Sequence, residues 1–342
     1  MNRGEKIGLP LGKISPDILK RTVFLHLGKK RRDVIVAPAE GEDSAIIRVE
    51  DKILALHCDP ISGSHSNIGW IAMNIATNDI ATRGVKPLWA LSCIMLPKGS
   101  TEEILDNICR DIGRAAEKLG ISVIGGHSEI TLGLDHPLVI ITALGVAENA
   151  RYVTTSDATP GSKIILTKSI GIEGTAILAS DRKNQLSEEF GERFVKRATA
   201  YFDKLSIMQE ALIAFNYNGV LAMHDPTEGG LAGGLNEMAN ASKTGFKVYE
   251  NTIDIKNETL EICRFFKIDP LALISSGALL IVARPEKAEG MLTHLKKKGI
   301  EAALIGEILE DETYRKIVRT NGREETLDMP ASDELWKALV PE

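Results

Sequence analysis

Apolar positions recur with two different periods along this chain, and the changes between them mark out its elements. Residues 44–49 and 52–57 alternate as short strands separated only by Glu50 and Asp51, which predicts a hairpin. Residues 67–84 switch to the helical period. At roughly 100° per residue, Ile68, Ile71, Ala72, Ile75 and Asp79 fall on one face. Residues 88–96 predict a strand. Ser100 with Glu103 reads as a capping box that opens a long amphipathic helix. Its inward face is Ile104, Ile108, Ile112, Ala115 and Leu119, and Gly120 is the natural stop. Strands at residues 121–124 and 138–146 complete a first half.

The pattern restarts after Asp157-Ala158-Thr159-Pro160-Gly161-Ser162, a turn-rich joint. Strands are predicted at residues 163–167, 220–223, 277–283 and 301–308. Helices are predicted at 175–180, 231–242 and 286–298, with a polar helix-rich stretch from 185 to 216. Hairpins mixed with crossovers predict an α+β fold of two domains rather than one doubly wound sheet. The expected division is an N-terminal arm over residues 1–38, a domain over 39–156, a second domain over 157–330 and a short tail over 331–342.

Composition narrows the class more than the fold. The chain has 342 residues, 44% hydrophobic and 26% charged, an ordinary globular balance with room for two cores. A formal charge of −6 argues against a general nucleic-acid binder, and the run Lys29 to Arg32 reads as a solvated loop edge. The first six residues show no apolar signal region. The longest apolar stretches, near residues 138–147 and 271–283, are too short and broken to span a bilayer. Cys58, Cys93, Cys109 and Cys263 have neither zinc nor disulfide spacing. The expectation is a cytoplasmic protein with no membrane or nucleic-acid partner.

Chemistry enters at Asp79. A carboxylate on a buried stripe costs several kcal/mol, on the order of 3–5, unless it is compensated. Arg83, one turn on, is one candidate partner; a metal ion is the other. Further acidic and glycine positions favour the metal, because they sit at predicted strand ends or the turns beside them, where sheet-based sites collect ligands. Asp43 leads into one strand, Asp59 follows another before Pro60, and Asp225 follows a third before Pro226. Taken singly, Asp59 and Asp225 also suit turn starts or helix caps. Gly125 and Gly126 offer backbone N–H groups to an anion, as does the Thr227–Gly230 turn with Gly229 at a predicted helix start. A tight turn and a plain cap need the same residues. Lys168 could meet a phosphate or be merely solvated. His127 and Glu129 are candidate catalytic acid–base groups, with a structural histidine as the alternative for His127. Carboxylates from separate loops suit Mg²⁺ with substrate phosphates rather than a contiguous calcium loop.

Four motifs in order carry a resemblance. Gly41-Glu42-Asp43-Ser44-Ala45 is similar to a GDDAA motif, and Asn78-Asp79-Ile80-Ala81-Thr82-Arg83-Gly84 to an N/S-D-(I/V/L)-A-x-x-G helix. Gly125-Gly126-His127-Ser128 resembles GG-D/H/E-T, and Asp225-Pro226-Thr227-Glu228-Gly229-Gly230 resembles D-P/A-T-R-G-G. These motifs resemble the PurM-like, AIR-synthase-related ATP-binding superfamily over residues 35–330, with the hydrogenase maturation protein HypE as its nearest member. The resemblance implies an N-terminal domain that forms a barrel-like homodimer, a C-terminal α/β domain, and ATP with Mg²⁺ held by Asp43, Asp59, Asp79 and Asp225. It implies phosphorylation or phosphate activation of a small-molecule nucleophile.

The departures are specific. Glu129 stands where HypE's G-D-T-K has Lys, Ser276 stands where its N-E-G has Glu, and no cysteine follows Cys263. The expectation is therefore an enzyme acting on a separate small molecule, not on a thiocarboxamide carried by its own C-terminus. The arm holds no cysteine, which disfavours selenophosphate synthesis. A nucleotide-binding maturation or scaffold protein without turnover is the competing expectation.

Overall fold

Each half of the chain contributes one mostly antiparallel sheet. The computed structural model describes Leu9, residues 11–62 and residues 67–339. Residues 1–6, on which the expected absence of a signal rests, lie outside the described residues. The N-terminal half runs α1 (Pro16–Arg21), β1 (Val34–Val36), β2 (Ala45–Val49), β3 (Lys52–Ile61), α2 (Ile68–Ala81), β4 (Pro87–Pro97), α3 (Glu102–Leu119), β5 (Ser122–Thr131) and β6 (Leu138–Val146). Its strand order is β1-β2-β3-β6-β4-β5, and among the described residues only β4 and β5 run parallel.

The C-terminal half runs β7 (Lys163–Thr167), α4 (Ile172–Asp181), α5 (Lys183–Phe190), α6 (Glu192–Thr199), α7 (Met208–Tyr217) and β8 (Val220–His224). It continues through α8 (Gly230–Ser242), β9 (Gly245–Tyr249), α9 (Asn257–Phe266), β10 (Leu279–Ala283), α10 (Pro285–Lys297), β11 (Ala302–Leu309), β12 (Arg315–Val318), β13 (Glu324–Thr326) and α11 (Glu334–Leu339). The order is β13-β12-β9-β11-β7-β10-β8, with β12 parallel to β9. This is the expected two-domain α+β architecture.

Helix α2 fixes the relation of the halves. Every one of its residues is buried, so the expected amphipathic stripe is in fact one side of a helix enclosed all round. Ile71, Met73 and Ile75 of α2 share one apolar core with Ile172, Ala176 and Ile177 of α4 and with Leu335 of α11. Its polar groups are met across the junction. Trp70 Nε1 donates to Phe202 O at 2.7 Å, while Asn78 donates to Leu205 O and accepts from Ile207 N, each at 2.9 Å. Asp79 is thereby held beside the C-terminal half.

Three local expectations change. Strand β3 does not end before Asp59; it continues to Ile61 and pairs Asp59 with Ile141 and Pro60 with Ile140 of β6. Among the described residues β3 has no partner on its β2 side beyond Leu56, and such an edge tolerates proline. Gly125 and Gly126 lie inside β5, not in a turn after it. A Cβ on Gly126 would come 1.8 Å from Ser92 O, so glycine is what lets β5 close on β4. Thr101, not Ser100, caps α3 by accepting from Ile104 N, and Ile104 is exposed; Ile108, Ile112, Ala115 and Leu119 face inward. Among the described residues no helix is long and apolar enough to cross a membrane.

Candidate metal centre

Three aspartates from distant segments converge. Asp43 lies just before β2, Asp79 in the last turn of α2, and Asp225 just past β8. One carboxylate oxygen from each lies within 4.8 Å of the other two. Asp225 is only 1% exposed, and neither of its oxygens has a hydrogen-bond partner; Asp43 Oδ2 is likewise unmet. Burial first, then the charges of Asp79 and Asp43, pushes the Asp225 carboxyl well above the usual carboxylate range. Burial would raise Asp43 too, but His224 and Arg83 outweigh it and hold Asp43 below its ordinary value.

The partner expected for Asp79 is engaged elsewhere. Arg83 is fully buried, pairs through Nη1 with Glu42 Oε2 at 2.6 Å, and donates to Ser44 Oγ at 3.0 Å and Ser44 O at 2.9 Å. The reason is that α2 ends at Ala81, so the helical i,i+4 relation does not reach Arg83. Asp79 meets His57 instead, Nε2 to Oδ2, at 2.7 Å. Burial alone would lower His57, yet Asp79, Asp59 and Asp43 raise it to about 9. His57 and Asp59 are two residues apart on β3 and so share one side of the strand. Burial and the neighbouring Asp79 push Asp59 up to about 6.

A relay of alternating charge backs Asp43. His224 Nδ1 lies 2.6 Å from Asp43 Oδ1 as an ion pair, His224 Nε2 is hydrogen-bonded to Glu237 Oε2 at 2.9 Å, and Lys13 Nζ donates to Glu237 Oε1 at 2.6 Å. Burial opposes the imidazolium, but Asp43 and Glu237 carry His224 well above its ordinary value. Burial likewise opposes the Glu237 carboxylate, and Lys13 with His224 brings it down to about 2. Lys13 thus ties the N-terminal arm to the centre, and its backbone N–H also donates to Glu228 Oε2 at 2.8 Å.

Further acids lie close enough to interact with this centre electrostatically. Glu173, in the first turn of α4, is 3% exposed, and its Oε2 has no hydrogen-bond partner. Burial raises it to about 8, with Asp333, Asp59 and Glu228 adding and the Ser276 hydroxyl subtracting. Asp333, just before α11, accepts from Gly229 N at 2.6 Å and from Leu335 N at 2.7 Å. Burial still lifts it to about 6.

The other expected positions divide. Thr227, Gly229 and Gly230 do form the turn into α8 beside Asp225, but Gly229 N–H is taken by Asp333 and Gly230 N–H by Thr227 O at 2.9 Å. Lys168 has its ammonium committed to Glu210 at 2.6 Å, Lys204 O at 2.9 Å and Ser206 O at 2.7 Å, so its three donors have structural work. Gly125, Gly126, His127 and Glu129 lie on the exposed strand β5, where His127 Nε2 and Glu129 Oε2 meet each other at 3.0 Å. Among the described residues, no hydrogen bond or ion pair joins these four to the aspartates. His57, His224, Glu237, Lys13, Glu173 and Asp333 were not singled out from sequence. His57 and His224 carried a signal, standing two residues and one residue before an aspartate already chosen.

Asp43, Asp79 and Asp225 fit Mg²⁺, a hard cation that takes oxygen donors. The unmet oxygens of Asp225 are the observation behind that fit, since buried carboxylates are ordinarily hydrogen-bonded, paired or metal-bound.

Comparison with known proteins follows the same two halves. Residues 41–147 match the AIR synthase related protein N-terminal domain, and residues 159–319 its C-terminal domain. A Methanocaldococcus jannaschii protein named for hydrogenase expression and formation is 28% identical, covering 95% of this chain and 96% of its own. The carbamoyl dehydratase HypE of Rhizobium leguminosarum bv. viciae is 32% identical, covering 75% of this chain and 72% of its own. The solved structure of a HypE in complex with ATP superposes with a TM-score of 0.71 at 21% identity, covering 96% of this chain and 98% of that one.

Proposed function

The chain belongs to the AIR synthase related family, and from that premise we propose an ATP- and Mg²⁺-dependent enzyme that phosphorylates or phosphate-activates a small-molecule oxygen nucleophile. Asp225 carries this reading. A carboxyl 1% exposed, with neither oxygen hydrogen-bonded and two other aspartates beside it, is stable as an anion only when a cation arrives. The solved ATP complex of a HypE supports the nucleotide. Mg·ATP would supply the transferable phosphoryl group and the charge that balances it. Asp43, Asp79 and Asp225 hold the metal. His224 ties one oxygen of Asp43 and leaves the other free, and Glu237 with Lys13 keeps that imidazole charged and oriented.

The chemistry proposed differs from carbamoyl dehydration. Glu129, Ser276 and Glu228 replace the Lys, Glu and Arg of the motifs they resemble, so three charged positions are altered. The β5 edge, with Val123, Ile124 and Ile130 exposed beside Trp89 and Leu91 of β4, suits self-pairing in a homodimer. His127 and Glu129 would then serve across that seam rather than in their own chain's groove.

Calorimetry of ATP with and without MgCl₂, followed by ADP formation with a panel of small-molecule acceptors, tests the reading. Tight Mg-dependent binding with acceptor-stimulated ADP formation supports it. No binding sinks it. Binding with no turnover on any acceptor favours a nucleotide-binding maturation partner instead.

A further inference from the structure

The loop over residues 271–277, between α9 and β10, touches the starts of three helices. At α4, Gly171 N–H donates to Ser275 Oγ at 2.7 Å and Gly174 N–H to Ile274 O at 3.1 Å. Ala232 N–H of α8 donates to Leu271 O at 2.9 Å, and Glu334 N–H of α11 to Ala272 O at 3.3 Å. These bonds seat Ser276 beside Glu173 and hold Asp333 within electrostatic reach of both. We propose that Glu173, Ser276 and Asp333 form a subsite for the phosphoryl acceptor, taking a primary ammonium group that the acceptor carries. The acceptor role rests on the ATP-dependent reading; the ammonium site does not.

Two unmet groups of different chemistry point to a ligand. Glu173 Oε2, in a residue 3% exposed, and Ser276 Oγ, in a residue 1% exposed, have no hydrogen-bond partner. The Ser276 hydroxyl faces Glu173 and favours its anion without completing a hydrogen bond. Ser276 is neutral, so it is not one more member of a cluster of acids. Buried polar groups are ordinarily hydrogen-bonded, and neither of these belongs to the aspartate centre.

The ligand must bring donors and positive charge. Helix starts usually offer N–H groups to anions, but here those groups are spent. Gly171, Gly174, Ala232 and Glu334 give theirs to the loop, and Asp333 takes those of Gly229 and Leu335. Carboxyl and hydroxyl oxygens are what remain. Among the described residues no ion pair reaches Glu173, Asp333 or Glu228, and Lys13, whose backbone meets Glu228, commits its ammonium to Glu237. The shape of the cation follows from the arrangement. Each oxygen of Asp333 already accepts a backbone N–H, so Asp333 has no free edge for a planar, bidentate guanidinium. Three oxygens from three separate segments suit an ammonium, whose three N–H groups diverge and rotate to meet them.

Ethylammonium chloride tests the site without metal or nucleotide. Saturation-transfer NMR in EDTA at neutral pH is run on the wild type, Glu173→Gln and Ser276→Ala, with ethanol as the uncharged probe and tetramethylammonium as a cation without N–H groups. Ethylammonium is expected to bind, ethanol not to bind, and tetramethylammonium not to displace it. Glu173→Gln weakens ethylammonium about tenfold or more and Ser276→Ala about threefold, the second variant serving if the first does not fold. Ethylammonium that fails to bind, binds no better than ethanol, or is unaffected by both variants overturns the proposal. MgCl₂ that displaces ethylammonium even from Asp225→Asn, where the aspartate centre is disabled, assigns these acids to a metal and overturns it too. Ethylammonium bound by a protein that does not bind Mg·ATP removes the nucleotide reading and leaves the ammonium site standing. ADP formation that shows no preference for amine-bearing alcohols over their amine-free counterparts overturns the acceptor role.

Discussion

Replacing Glu173 with glutamine isolates the most heavily perturbed carboxyl that the metal centre does not use. Glu173 is 3% exposed, faces Asp333, Asp59 and Glu228, and has only the Ser276 hydroxyl on the favourable side. The N-terminal end of α4 favours its anion by about 1 kcal/mol at most, too little to keep it ionised. Folding raises the carboxyl from 4.5 to about 8. At about 1.4 kcal/mol per pH unit, that displacement is worth up to about 5 kcal/mol. Between those values the native state holds a proton that the unfolded state has released. Stability therefore falls as pH rises through the window and levels off above it.

Glutamine has the shape of the protonated acid and no titration. Urea unfolding of wild type and Glu173→Gln, in EDTA and at intervals from pH 5 to pH 9, gives the assay. Asp59, Asp333 and His57 titrate in the same range, so the informative quantity is the difference between the two proteins. The two are expected to be nearly equal near pH 5. The variant is expected to lead increasingly above pH 6, by at least about 2 kcal/mol at pH 9 once structural relaxation has trimmed the full value. A difference that does not change with pH, or a variant that becomes relatively weaker in alkali, refutes the claim that Glu173 is held protonated.

Asp225→Asn is expected to lower Mg·ATP affinity at least tenfold, about 1.4 kcal/mol, while leaving or raising the thermal midpoint in EDTA, because it removes a buried carboxyl with no donor. Calorimetry and a thermal melt separate the two effects. Arg83→Met is expected to cost about 3–5 kcal/mol by stranding Glu42, and adding Glu42→Gln should restore most of it; no recovery in urea unfolding would mean that Arg83 serves another carboxylate. Ile124→Lys is expected to shift sedimentation from dimer to monomer, since it places a charge on the exposed β5 edge. Unchanged sedimentation would place the dimer seam elsewhere.

Much of the fold was legible because hydrophobic periodicity records burial on one face. Strands β7 and β6 and helix α3 followed from it closely. Helix α2 did not, since a helix enclosed all round carries no outward face to contrast with its inward one. β5 was cut short for a related reason. Its glycines read as a turn, but they answer to Ser92 on β4, a contact that no local pattern contains. The short strands β1, β12 and β13 lacked the length to show a period at all.

The centre was legible only on one side of its charge balance. Acids at strand ends announce themselves, because a carboxylate there needs a reason. Their cations came from far along the chain: Lys13 reaches Glu237, and His224 bridges Glu237 to Asp43. Asp79 shows why nearness in sequence misled. Arg83 was four residues away, yet the helix ended between them, and Arg83 turned to Glu42. His57, twenty-two residues earlier, became its partner because β3 lies beside α2. That exchange gives Asp79 two roles that a partnership with Arg83 would have forbidden. A guanidinium always keeps its charge and cannot ligate a metal, whereas an imidazole can give up its proton and bind one. Without metal, the Asp79 carboxylate is therefore balanced by a group that can give up its charge when another cation arrives, which a guanidinium in the same place could not do.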